Sequence, residues 1–159
     1  MKWKAKLSKW KLDSLKLNLR YAEAEFTYAE FDEMAAWEMY VELITRITTR
    51  PLPLGEGDEK AALDSVYSLF PTTRALLKTY GRKGQTFSKL AVVVLNQVIR
   101  PFTTKWHGVA IAGFQNGPAI AAFRSELTDL QVVLASYAAA LSEIAGVEDI
   151  SDIDALPTG

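Results

Sequence analysis

Between residues 120 and 144 apolar side chains recur at Ile120, Phe123, Leu127, Leu130, Leu134, Tyr137, Leu141 and Ile144, alternating steps of three and four. That spacing holds one stripe on one side of a long helix and demands a second apolar surface along its whole length. Gly113, Gly117 and Pro118 punctuate the approach, with Pro118 suited to the first helical position, and Gly146 is placed to close the helix. A chain of 159 residues, 49% hydrophobic and 23% charged, supplies that surface as one domain. A domain of this size removes roughly 68–70% of its unfolded surface from water, enough for a core without staples.

The remaining chain reads as further helices. Thr27 with Glu30 forms a candidate capping box ahead of Met34, Trp37, Val41 and Ile44, widened by Tyr40, Leu43 and Ile47, so a helix is expected over about 28–48. The run Arg50-Pro51-Leu52-Pro53-Leu54-Gly55-Glu56-Gly57 stops it, and Asp58 caps the next. That second helix carries Leu63, Val66, Tyr67 and Phe70, is kinked or restarted at Pro71, and ends at Gly81. A third opens near Thr86, is apolar on nearly all sides from Leu90 to Leu95, and is bent or ended by Pro101. The expected fold is mainly α: an antiparallel four-helix bundle with one or two short N-terminal β-strands. Residues 1–26 form a basic strand segment, 27–146 the helical bundle and 147–159 an acidic tail, within one globular domain.

Charge is segregated along the chain. Lys2, Lys4, Lys6, Lys9, Lys11, Lys16 and Arg20 face only Asp13 in the first twenty residues, giving +6, so the overall −1 leaves −7 for the rest. Trp3, Ala5 and Leu7, and then Leu15, Leu17, Leu19 and Tyr21, alternate with polar residues, and this period of two favours strands. Trp3, Leu7, Trp10 and Leu17 also lie near one helical face, so a cationic amphipathic helix is the competing description. Lysines interleaved with aromatics suit single-stranded nucleic acid or an anionic membrane. Equally they describe a solvated face whose aromatics pack on the bundle. A strand at a chain end also offers a free edge to another chain.

The absence of cysteine excludes disulfides, thiolate metal sites and a cysteine nucleophile, and the single histidine, His107, excludes multi-histidine metal centres. No cofactor is expected. His107 lacks a Gly-x-Ser-x-Gly elbow among its possible partners, which favours a structural or surface role over acid–base work. Glu38 and Glu42 share a helical face, and with His107 they form the weakest functional reading, a hydrolase-type enzyme, against simple pairing of Glu42 with Arg46. Gly81-Arg82-Lys83-Gly84 lacks the Gly-Lys-Ser/Thr ending of a nucleotide-cradling loop. Arg46, Arg50, Arg74, Arg100, Lys105 and His107 sit near helix ends, where some of them would converge on a phosphate or carboxylate or simply complement helix dipoles. No run approaches the length of a membrane span, no signal peptide is visible, and a cytoplasmic location is the default expectation.

Several blocks resemble an uncharacterised bacterial helical family: Ala35-Ala36-Trp37-Glu38-Met39-Tyr40-Val41-Glu42-Leu43 with Thr45-Arg46, Leu63-Asp64-Ser65-Val66-Tyr67-Ser68-Leu69-Phe70 with Thr73-Arg74, and Val94-Leu95-Asn96-Gln97-Val98-Ile99-Arg100-Pro101-Phe102 with Lys105-Trp106-His107. Ile144-Ala145-Gly146-Val147-Glu148-Asp149 extends the likeness over most of the helical region. The resemblance brings no established activity and no catalytic residue; it implies an association with bacterial antiphage or conflict systems. The expected function is a non-enzymatic helical adaptor that contacts protein partners, copies of itself included, through the 120–144 helix or the N-terminal strand edge. The alternative is an anion-binding module for nucleic acid or a nucleotide signal, using Lys2, Lys4, Lys6, Lys9 and Lys11 or the arginines near the helix ends.

Overall fold

The computed structural model describes residues 1–46, 59–114 and 117–155, and over these the chain is mainly helical. In order, α1 spans Trp3–Lys9, α2 Leu19–Ala22, α3 Glu30–Ile44, α4 Glu59–Tyr67, α5 Leu69–Tyr80 and α6 Gln85–Val94. A π-helical turn, Leu95–Ile99, leads directly into α7, Arg100–Ile111, and α8 is Gly117–Ala145. Ile47, Arg50, the proline–glycine stop and the Asp58 cap lie outside the described residues. Among the described elements α3 packs most extensively on α8 and next on α5, while α4 lies against α7.

The expected N-terminal strands are absent from the described residues; only an isolated antiparallel bridge joins Lys2 to Glu25. Segment 3–9 is α1 instead, and the reason lies in its large side chains. Strand alternation would put Trp3 and Leu7 on one face and Trp10 on the other, whereas helical spacing buries all three together. Each indole removes roughly 150–250 Å² from water. At about 25 cal/mol per Å² that outweighs the difference between helix and strand propensity. Lys11 ends α1 in the left-handed region at φ 59°, letting Leu12 N–H reach Leu7 O at 2.8 Å and Lys11 N–H reach Ser8 O at 3.0 Å. Trp3, Leu7, Trp10, Leu12 and Leu15 belong to the same apolar cluster as the α3 and α8 residues, so the basic segment is part of the core.

The α3 start differs from the Thr27/Glu30 reading. Ala29 is the N-cap, and Asp32, almost fully buried, reaches back to accept the Ala29 N–H at 2.9 Å. Its other oxygen accepts the Phe87 N–H of α6 at 2.8 Å. One carboxylate therefore satisfies orphan amides at the first turns of two helices and fixes them to each other. Gly84 lies at this junction, where a Cβ would come within 3.1 Å of the Phe31 and Asp32 backbone.

Both internal prolines act upstream of where they stand. The break between α4 and α5 falls at Ser68, not at Pro71, because a proline ring crowds the carbonyl four residues earlier, here Tyr67. Pro101 does not end its helix: the preceding Leu95–Ile99 turn widens to π register, which relieves the demand for the missing amide, and the rod continues to Ile111. Thr103 Oγ1 donates to Ile99 O at 3.2 Å and Arg100 O at 3.0 Å, occupying carbonyls at the distorted turn.

The seam of α8 turns inward. Phe123, Leu127, Leu130, Leu134, Tyr137, Leu141 and Ile144 are all buried and Ile120 is half-buried against them, so the 120–144 stripe belongs to the core. Tyr137 keeps its hydroxyl buried without a partner among the described residues, and burial raises its pKa. Gly146, at φ 73°, closes the helix: Val147 N–H reaches Ser142 O at 3.0 Å and Gly146 N–H reaches Glu143 O at 3.1 Å.

Removing the Asp32 carboxylate strands a buried amide of α6 as well as the α3 cap. Asp32→Ala is expected to lower the unfolding free energy by about 2–4 kcal/mol in urea titration, and Asp32→Asn, which keeps an acceptor, by less. A loss below about 0.5 kcal/mol for the alanine variant would show that this junction does not hold the two helices together.

Candidate functional site

Helix α6 is not central all round, as its apolar run implied. Leu90, Ala91, Val94 and Leu95 are buried, but Val92 is 41% exposed and Val93 only half-buried. These two valines form the floor of a groove of about 320 Å³ with Trp3 and Leu17, bounded by Tyr21 of α2 and Lys89 of α6. Leu17 also lines an adjoining depression of about 510 Å³ with Leu15 and Leu19, edged by Lys4, Lys16 and Asp13. Leu17 is the residue the two depressions share. Leu19 is 76% exposed, and the Tyr21 ring lies 5.5 Å from both the Arg20 guanidinium carbon and Lys89 Nζ.

Two polar contacts build this surface. The Gln97 side chain, turned outward by the π segment, grips the extended Leu15–Asn18 stretch: Lys16 N–H donates to Gln97 Oε1 at 2.8 Å, and Gln97 Nε2 donates to Lys16 O at 2.7 Å. At the other end Glu143 of α8 accepts from the Trp10 indole at 2.5 Å and from Lys9 at 2.8 Å, with Lys6 at 3.5 Å. Burial opposes ionisation of Glu143, but the hydrogen bonds from Lys9 and Trp10 and the charges of Lys6 and Lys9 outweigh it and hold its pKa below the usual carboxylate range.

The N-terminal lysines are therefore not a free arm. Lys2 pairs with Glu23 at 2.9 Å, Lys6 and Lys9 with Glu143, and Lys11 forms the left-handed end of α1. Three of the segment's seven basic side chains, Lys2, Lys6 and Lys9, are thus paired with glutamates of the same chain. Lys4 and Lys16 remain exposed on the rim of the outer depression.

The helix-end cations do not gather into one site. Arg46, just past the end of α3, is held by Glu42 of its last turn and donates to Ser68 Oγ at 2.5 Å. Arg50 lies outside the described residues. Lys105 pairs with Glu126, whose pKa is lowered chiefly by that hydrogen bond, and also lies 5.4 Å from the Trp106 ring. Arg74 and Arg100 both lie against one ring: their guanidinium carbons are 5.7 and 5.0 Å from the centroid of Phe70. Arg100 Nε donates to Asn96 at 3.1 Å, and neither arginine forms an ion pair with a described carboxylate.

The enzyme reading required Glu38, Glu42 and His107 in one cleft. Glu38 and Glu42 line a depression with Trp37 and Thr72, where Tyr80 donates to Glu38 at 2.9 Å. His107 lines a different one with Lys60, Asp64 and Tyr67, its Nδ1 3.2 Å from the Tyr67 hydroxyl. Among the described residues no group of three or more His, Asp or Glu is placed to hold a metal ion, and no helix is long and apolar enough to cross a membrane.

Comparisons with protein-family models, with curated proteins and with solved structures find no match. In sequence, Leu17 and Tyr21 read as part of an N-terminal alternation, Val92 as part of a buried apolar run and Gln97 as part of a helical block, and nothing there joined them into one groove. The available signal was an apolar run on α6 too continuous to be buried on every side.

The Glu143 tie carries a pH signature. A carboxylate whose folded pKa is depressed contributes stability above its unfolded value, near 4.3, and loses that share as pH falls through the folded value. In urea titrations Glu143→Gln is expected to be less stable than the parent by about 1–2 kcal/mol at neutral pH, the gap closing below about pH 4. A gap independent of pH would show that the charge of Glu143 is not what holds α1.

Proposed function

We propose that this chain is a non-enzymatic helical interaction module that holds an acidic, apolar-periodic segment of a protein partner in the groove between α2, the Leu15–Asn18 stretch and α6. One observation carries the reading: the floor is apolar, built of Trp3, Leu17, Val92 and Val93, with Lys89 on its border, while Lys4 and Lys16 edge the depression on which Leu17 also opens. Apolar area supplies attraction, and the cations select and orient an acidic segment. Helix-in-groove recognition uses this combination. In this reading α3, α5, the α6–α7 rod and α8 act as a four-helix bundle that keeps the groove rigid, and the module works in the cytoplasm. The likeness of the helical blocks to the bacterial family supports a setting in bacterial defence. A labelled amphipathic peptide carrying Leu at helical spacing among Glu residues is expected to bind, to weaken with salt, and to lose at least about tenfold in affinity with Val92→Asp. Equal binding by the variant, or none by the parent, would overturn the reading.

A second reading rests on Arg74 and Arg100. Two guanidiniums held over Phe70, without carboxylate partners among the described residues, suit an oligophosphate, whose oxygens accept from both. Calorimetric titration with inorganic pyrophosphate is expected to show binding that falls at least about fivefold with either Arg74→Gln or Arg100→Gln. No heat, or unchanged affinity in both variants, would exclude it.

A further inference from the structure

Beyond α8 the chain carries a segment with the chemistry that the groove calls for. Val147, Ile150 and Ile153 succeed one another at steps of three and are 39%, 38% and 76% exposed, interleaved with Glu148, Asp149, Asp152 and Asp154. The segment is shaped rather than loose. Gly146 turns it out of α8, and Tyr40 of α3 fixes its base: the Tyr40 hydroxyl donates to Asp149 Oδ1 at 2.9 Å and accepts from Ile150 N–H at 2.7 Å. Beyond that anchor, Ile153 N–H reaches Ile150 O at 3.1 Å and Ala155 N–H reaches Asp152 O at 2.9 Å. Turns closed three residues apart set side chains at i and i+3 on the same side, so Ile150 and Ile153 are presented together with acidic residues around them.

Building on the interaction reading above, we propose that the groove's occupant is this acidic tail, residues 147–155, of a second copy of the chain. The match is one of charge and of apolar pattern. Lys89 borders the groove and Lys4 and Lys16 edge the depression that shares Leu17 with it, while Glu148, Asp149, Asp152 and Asp154 lie along the tail. Val92 and Leu19 stand exposed on one side, Ile150 and Ile153 on the other. Tail residues line neither depression of their own copy. The contact joins unlike surfaces, so it closes as a reciprocal pair or propagates head to tail.

Sedimentation velocity from about 1 µM to about 200 µM tests this with two exposed substitutions, Val92→Asp in the groove and Ile153→Asp in the tail. The parent is expected to self-associate with rising concentration and to dissociate as salt is raised. Each variant alone remains monomeric. Their equimolar mixture recovers a heterodimer, because one variant brings an intact tail and the other an intact groove. A monomeric parent across the range, self-association by either variant like the parent's, or a mixture that stays monomeric overturns the proposal. A monomeric parent whose groove still takes the synthetic acidic peptide removes the tail as occupant and leaves the interaction reading standing; loss of both binding events removes the two together.

Discussion

The Trp10 indole, Lys9 and Lys6 meet on the Glu143 carboxylate, and the shape of the N-terminal third depends on that meeting. It fastens α1 to the last turns of α8, 133 residues away in sequence from Trp10. The ring of Phe26 then stands edge-on to Trp3 and Trp10, at centroid distances of 5.0 and 5.3 Å, with Lys6 Nζ 5.2 Å from its centre. Once α1 is fixed, Leu12 and Leu15 are drawn into the core and the next stretch of chain crosses α6. A groove results because that stretch is extended: it covers the π turn through Gln97 but leaves Val92 uncovered.

The α6–α7 rod contributes a second constraint. Proline within a helix removes a donor and crowds the preceding turn, and the chain resolves this by inserting a π turn, not by ending the helix. An added residue in one turn rotates the downstream half of the rod by roughly 100° relative to an unbroken α-helix. The consequence is a single rod whose two halves face different neighbours: α6 meets α3 and the N-terminal segment, while α7 meets α4 and α8. Asp32 locks the start of this rod to the start of α3. Groove and core thus share the same few polar contacts placed inside apolar packing.

Much of the helical region was legible because long periodic stripes state their own geometry. The seam from Phe123 to Ile144 is buried at every position, and Gly146 ends α8 in the left-handed conformation that its placement foretold. Reading failed where short-range pattern and tertiary burial disagree. The alternation of Trp3, Ala5 and Leu7 is a true period of two, but Ala5 has little to bury, and Trp10 decides for a helix. Pro71 and Pro101 are visible in sequence, but their effects fall upstream, at Ser68 and at Leu95–Ile99, because the strain lies in the turn behind a proline. The basic segment read as an arm because sequence shows charge without distance; Glu143, far along the chain, takes Lys6 and Lys9, and Glu23 takes Lys2. The helix-end cations illustrate the same limit: Arg74 and Arg100 each lie against Phe70, whereas Arg46 and Lys105 are each engaged by a glutamate.

The central claim is that the lysine-rich start is a helix seated on the core and thereby forms one side of the apolar groove. Native-state amide hydrogen exchange tests it most directly. The amides of Lys6, Trp10 and Leu12, which donate to Lys2, Lys6 and Leu7 carbonyls, are expected to be protected and to open together with the C-terminal turns of α8. Exchange of those amides at the rate of an unstructured chain, while α8 remains protected, would contradict the account.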